Sequence, residues 1–193
     1  MDIASILFIY IVIVLSAVIH EYSHAFVADQ LGDPTARYAG RLTLNPLVHM
    51  DPWGTVIVPL FLLFFGGIFI GWAKPVPYNP YNIKAKHGAM WVGLAGPASN
   101  FLLAIALGLV VRFADLGITG FFLSQVVQVN IFLALFNLIP APPLDGSKVF
   151  GEVLPLGTGG QNAFGGLGIV LALLLAFLLL PPLGAFIFHL IVG

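Results

Sequence analysis

Apolar residues run along this chain in long blocks separated by short polar stretches. Four blocks hold no Asp, Glu, Lys, Arg or His: Pro52–Ala73, Gly88–Val111, Leu116–Leu144 and Val153–Phe188. Each is long enough to be weighed against the roughly 20 apolar residues that a bilayer-crossing helix needs. A fifth, Ile3–Ile19, runs directly into His20-Glu21-Tyr22-Ser23-His24, so the first helix is expected over Ile3–Phe26, with Gly32-Asp33-Pro34 past its end. Thr35–Asp51 is more polar, and Arg41-Leu42-Thr43-Leu44 ahead of Asn45-Pro46 predicts a short strand or hairpin there. Val56–Trp72 is apolar but broken by Pro59 and Gly66-Gly67, and Lys74–His87 is a proline-rich connector. Helices follow over Gly88–Val111, where Gly93, Gly96, Ala98 and Ser99 offer a small-residue face for close packing, and over Phe121–Ile139, ended by Pro140, Pro142 and Pro143. The last block opens near Gly165 and is interrupted at Pro181-Pro182, which leaves open whether Leu183–Val192 is a separate segment. The pattern predicts an all-α polytopic membrane protein, a helical bundle of about four to six segments with a short β element after the first helix. Residues 1–193 are expected to form a single membrane-embedded domain.

Basic residues orient this bundle. If Val56–Trp72 enters and leaves by one face, Arg37, Arg41, Lys74, Lys84, Lys86 and Lys148 share a side and only Arg112 lies opposite. The positive-inside rule then makes the six-cation side cytoplasmic and the N-terminus external, in a multi-pass protein of the cell membrane. The helix breakers within Val56–Trp72 favour that re-entrant path, which is tolerable where protein or a water-filled cavity covers the open backbone. Composition agrees: 60% of residues are hydrophobic and 8% charged, with a mean hydropathy of +1.05, too little polar surface for a water-facing globule. The start, Met1-Asp2-Ile3, lacks the basic flank of a secretory signal, so the first helix is expected to be retained. A net charge of −1 gives no basic field for nucleic acid, and the absence of cysteine excludes disulfides and thiolate metal sites.

Any metal must therefore be held by His, Asp or Glu. His20-Glu21-x-x-His24 places two imidazoles one helical turn apart on one face, with Glu21 about 100° round from His20, where a carboxylate can take a proton from a water beside the ion. Three ionisable groups within five residues of a membrane helix are costly unless they have a use. Catalytic zinc usually takes three protein ligands, and the third has several candidates: Asp145, His49, Asp51, Asp115, His87, Glu152 and His189. Asp145 stands out because it follows the stiff, proline-rich Pro140–Leu144 and precedes Gly146, although it is also placed to cap a helix over Ser147–Leu154. Asn137 is placed either to bond a substrate backbone or oxyanion or to bond a neighbouring helix; for Asn100 the interhelical bond is favoured. His49 and Asp51 read as a water-facing loop pair, His189 as structural, and Trp53, Trp72 and Trp91 as interfacial residues.

With these motifs in place, the chain resembles the site-2 protease family of intramembrane zinc metalloproteases. His20–His24 matches its HExxH element, Asn137–Gly146 its Asn-x-x-Pro-x-x-Pro-x-Asp-Gly segment, and Ala95-Gly96-Pro97-x-x-Asn100 a further one. Gly71-Trp72-Ala73-Lys74-Pro75-Val76-Pro77, with Asn45-Pro46, is similar to the compact prokaryotic branch without a PDZ domain. The resemblance implies one zinc ion bound by His20, His24 and Asp145 near the cytoplasmic face, with Glu21 as catalytic base. It implies hydrolysis of peptide bonds in or near the transmembrane segment of a membrane-protein substrate whose helix is locally unwound. Ser147 stands where many members have a second glycine. The rival reading of the residues alone is a metal-binding membrane transporter or channel, against which stand Glu21 in the position of a base and the single asymmetric cluster at one face.

Overall fold

The computed structural model describes residues 3–66, 71–153 and 166–193. It is all-helical, as expected. Helix α1 covers Ile3–Gln30, α2 Thr35–Tyr38, α3 Pro46–His49 and α4 Val58–Gly66, the last preceded by a π-helical turn over Pro52–Ile57. Helix α5 covers Gly88–Phe113, α6 Ile118–Asn137, α7 Gly146–Val153 and α8 Gly166–Val192. Among the described residues, α1, α5 and α6 are each long and apolar enough to cross a membrane. At about 1.5 Å per residue, the 28 residues of α1 reach about 42 Å and the 20 of α6 about 30 Å, the thickness of a hydrocarbon core. Helix α8 runs through Pro181 and Pro182 without a break, so Leu183–Val192 is not a separate segment.

Side-chain contacts fix the direction of the three spanning helices. His24 meets the Val92 carbonyl, and Asn100 reaches the Ser16 carbonyl, so α5 runs antiparallel to α1. Phe8 packs edge-on to Phe122 at 5.0 Å and Ser16 bonds Asn130, so α6 runs parallel to α1. The C-terminal ends of α1 and α6 and the N-terminal end of α5 therefore share one end of the bundle. Away from that end, Ala104, Val127 and Ile131 form a fully buried cluster against Ile187, Phe188 and Ile191 of α8. Gly108 lies where any β-carbon would strike the Ile191 side chain, which lets α5 and α8 approach closely.

The segment after the π-helical turn folds back on itself. Trp72 N donates to Gly54 O at 3.0 Å, Thr55 Oγ1 donates to Trp72 O at 3.0 Å, and the Trp72 indole covers Gly54 where a β-carbon would stand. Within the described residues helix α4 has 9 residues, too few to span; residues 67–70 lie outside them. The chain thus leaves and returns at one place, as the re-entrant reading requires.

The expected β element is not found: no strand occurs among the described residues. Arg41–Leu44 meets no partner strand. The Arg41 guanidinium instead donates to the carbonyls of Val48, Lys74 and Pro75. Asn45 then accepts from Leu47 N with Pro46 in the first helical position, which turns the chain into α3.

Candidate active site

Helix α1 presents His20, Glu21 and His24 with ligand atoms all within 4.8 Å of one another. His24 Nδ1 donates to the Val92 carbonyl at 2.6 Å. His20 Nδ1 lies 2.7 Å from Asn100 Oδ1, and its role there follows from the next bonds along. The Asn100 amide group donates to Asn130 Oδ1 at 2.8 Å and to Ser16 O at 3.3 Å, so its oxygen is left to accept from His20. Asn130 in turn donates to Ser16 Oγ at 3.0 Å and to Val126 O at 2.9 Å. Ser16, Asn100 and Asn130 are all buried and mutually satisfied. This network fixes the imidazole tautomer, the arrangement by which a ligating histidine is usually oriented.

With both Nδ1 atoms committed as donors, each imidazole in its neutral form offers a lone pair at Nε2. Both Nε2 atoms lie 3.0 Å from the same oxygen, Asp145 Oδ2. Three electron-pair donors facing one another repel unless a cation stands among them, and two imidazole nitrogens with one carboxylate oxygen are a set that zinc favours. Tetrahedral ligands at about 2.0–2.1 Å from zinc stand about 3.3 Å apart, close to these separations. Gly96 faces the same point: a β-carbon there would lie 2.5 Å from both Nε2 atoms. The residues present fit a zinc ion.

Asp145 is carried by the turn between α6 and α7, where Gly146 packs so closely on the Leu138 and Ile139 carbonyls that no side chain fits. Its carboxylate does not cap α7; it faces the histidines and, through Oδ1, Lys148 Nζ at 2.9 Å. Glu21 Oε2 accepts from Val76 N at 2.8 Å. Between Lys74 and Tyr78 that amide is the sole backbone donor, because Pro75 and Pro77 have none. A small cavity of about 140 Å³ is lined by His20, Glu21, His24, Asn137, Asp145 and Lys148. A larger apolar one of about 430 Å³ opens beside it, sharing His20, Glu21 and Asn137 and walled by Ala17, Trp72 and Phe136.

The other candidate ligands do not join this cluster, although His49 also lines the larger cavity. His49 is buried, not water-facing: its Nε2 donates to Thr43 O at 2.8 Å and its carbonyl accepts from Lys74 N. Asp51 accepts from Trp53 N and Gly54 N at the start of the π-helical turn. His87 pairs with Glu152 at 2.9 Å. Asn137 donates to Leu133 O of its own helix, not to a neighbouring one, and lines both cavities. Sequence reasoning passed over Asn130, although an Asn in the middle of a 20-residue apolar helix is itself a signal of a buried polar contact.

Residues 8–117 match the sequence profile of peptidase family M50, more than half of the chain. The chain belongs to peptidase family M50. A relative in Bacillus subtilis (strain 168), named "Putative zinc metalloprotease YwhC", is 40% identical over 161 residues, covering 78% of this chain and 70% of its own. Zinc metalloprotease MJ0392 of Methanocaldococcus jannaschii is 29% identical over 147 residues, 76% of this chain, which spans about a third of that relative's length. No solved structure gives a significant match. The expectation of a zinc metalloprotease of the site-2 type is borne out by the M50 assignment, and neither relative is named as a transporter or channel.

Proposed function

We propose that residues 1–193 act as a single membrane-embedded zinc endopeptidase that cuts a protein substrate in or beside its transmembrane segment, at the cytoplasmic face of the cell membrane. The observation that carries this reading is the meeting of His20 Nε2, His24 Nε2 and Asp145 Oδ2 at 3.0 Å beside the Glu21 carboxylate. His20, His24 and Asp145 would hold the ion. Zinc supplies polarisation of the scissile carbonyl and lowers the pKa of a bound water to about 7. Glu21 would take the proton of the attacking water as the new C–O bond forms and then deliver it to the departing amine as the amide C–N bond breaks, so no bond to the protein is needed. Asn137, on the rim of both cavities, is placed to donate to the substrate backbone or to the developing oxyanion. The substrate must present an unwound peptide, since an intact helix spends its carbonyls on its own hydrogen bonds.

The apolar cavity receives a side chain next to the cut bond, because it shares with the smaller cavity His20, Glu21 and Asn137, which would flank that bond. Purified protein with a membrane-protein substrate tests both ideas. Glu21→Gln should abolish cleavage with zinc content near one per chain, whereas His20→Ala, His24→Ala or Asp145→Ala should lose the metal. Cleavage by Glu21→Gln, or full zinc in Asp145→Ala, defeats the assignment. Ala17→Phe should lower cleavage beside large residues far more than beside alanine or glycine; an equal loss on both would remove the cavity from substrate selection.

A further inference from the structure

Lys148 is the cation beside the proposed zinc ligands, and its geometry gives it a particular task. It lies one turn after Asp145, with Nζ 2.9 Å from Asp145 Oδ1, while Asp145 Oδ2 faces the two histidines. The two carboxylate oxygens are thus divided between an ammonium group and the imidazole pair. Two further contacts hold the lysine there. Its Cβ would be 3.0 Å from any β-carbon at position 93, so Gly93 of α5 leaves room for the start of its side chain. Its Nζ stands 5.5 Å from the centre of the Tyr78 ring, on the connector that also carries Val76. About a third of the side chain stays exposed, so the ammonium keeps water while its stem packs against protein.

We propose that Lys148 is a positioning residue that holds Asp145 as a one-oxygen ligand, keeping Oδ1 away from the metal and so leaving a coordination position for water or substrate. This rests on the zinc-site reading above. A free carboxylate beside a divalent ion can close on it with both oxygens; an ammonium bonded to one of them removes that option. A catalytic zinc site needs an open position, and groups bonded to the outer side of ligands set their orientation.

The test uses the full chain purified in detergent, with wild type, Lys148→Arg, Lys148→Met and Lys148→Gln compared for zinc affinity by competition with a chelator and for visible absorption after cobalt(II) replacement. Loss of such an outer contact typically weakens metal binding by about 10–100-fold, and that range is expected for Lys148→Met and Lys148→Gln, with Lys148→Arg close to wild type. The cobalt bands of the two neutral variants should weaken, as a second oxygen raises the coordination number; those of Lys148→Arg should not. Far-UV circular dichroism identifies a variant that fails to fold, and the second neutral variant then decides. Unchanged affinity and spectra in both neutral variants, or a Lys148→Arg form as impaired as they are, overturns the proposal. A wild-type protein that takes up no zinc overturns the reading of the site itself, and this inference with it.

Discussion

At the residue scale the site depends on atoms that are missing as much as on atoms that are present. Gly96 has no chemistry, yet the point its β-carbon would occupy lies 2.5 Å from both candidate ligand nitrogens. Gly96→Ala should therefore displace one imidazole and lower zinc content and cleavage together, while Gly151→Ala, where a β-carbon meets open space, should leave both unchanged. Metal analysis and an activity assay on the two variants check this; a fully metallated Gly96→Ala protein would show that the helices shift apart to make room. The contrast marks what a single sequence can disclose. His20, Glu21 and His24 were legible because their spacing alone places them on one helical face. Asp145 stood out among seven candidates by the prolines before it and Gly146 after it, and tertiary contact adds that His87 is taken by Glu152 and Asp51 serves its own turn. Asn100 was legible as an interhelical bond, and it is one, but the same side chain also fixes the His20 tautomer. That second role depends on Asn130, which is thirty residues away in the chain.

Among the elements, the connector from Gly71 to Asn82 is the part the hydrophobic pattern described least well. It has almost no regular structure, with one 3₁₀ turn over Pro80–Asn82, yet it is anchored along its length. Trp72 is tied to Gly54 and Thr55, Lys74 to His49, the Lys74 and Pro75 carbonyls to Arg41, and Val76 to Glu21. At its far end Asn79 N and Asn82 Nδ2 donate to Asp33, which also accepts from Thr35 N and Oγ1. Such side-chain-to-backbone bonds leave no periodic trace, which is why Arg41–Leu44 read as a strand and the anchoring arginine within it was not recognised. Burial alone would raise the Asp33 carboxyl, but these hydrogen bonds outweigh it and hold its pKa below the ordinary value. A lowered folded-state pKa means that the stabilisation is complete above the unfolded value of about 3.9 and is lost as pH falls through the folded value. Thermal unfolding in detergent should accordingly show a drop in Tm below about pH 4 that is smaller in Asp33→Asn, which starts from a lower Tm at pH 7. Equal acid sensitivity in the two proteins would show that another carboxylate governs it.

For the whole molecule, the helix directions and the charge distribution lead to one orientation. Arg37 and Arg41 follow α1, Lys74, Lys84 and Lys86 precede α5, and Lys148 follows α6. Antiparallel packing of α1 on α5 and parallel packing of α1 with α6 bring all six to the end of the bundle nearer His20–His24. Arg112, bonded to Leu190 O of α8, marks the opposite end. The return of Trp72 to Gly54 keeps both ends of the α4 segment on the six-cation side, so the charge bias is not cancelled by an extra crossing. By the positive-inside rule, six cations against one lead us to propose that this end lies in the cytoplasm. The cysteine-free sequence makes the prediction testable with single cysteines. Tyr38 and Tyr81 are 84% and 94% exposed and lie before and after the folded-back segment, and the exposed Asp115 joins α5 to α6 at the Arg112 end. In intact cells a membrane-impermeant thiol reagent should label a cysteine at position 115 and spare those at 38 and 81 until lysis. Opposite behaviour of positions 38 and 81 would mean that the segment between them crosses the bilayer. Reversal of all three would keep the fold and invert the protein, moving the proposed cut to the outer face.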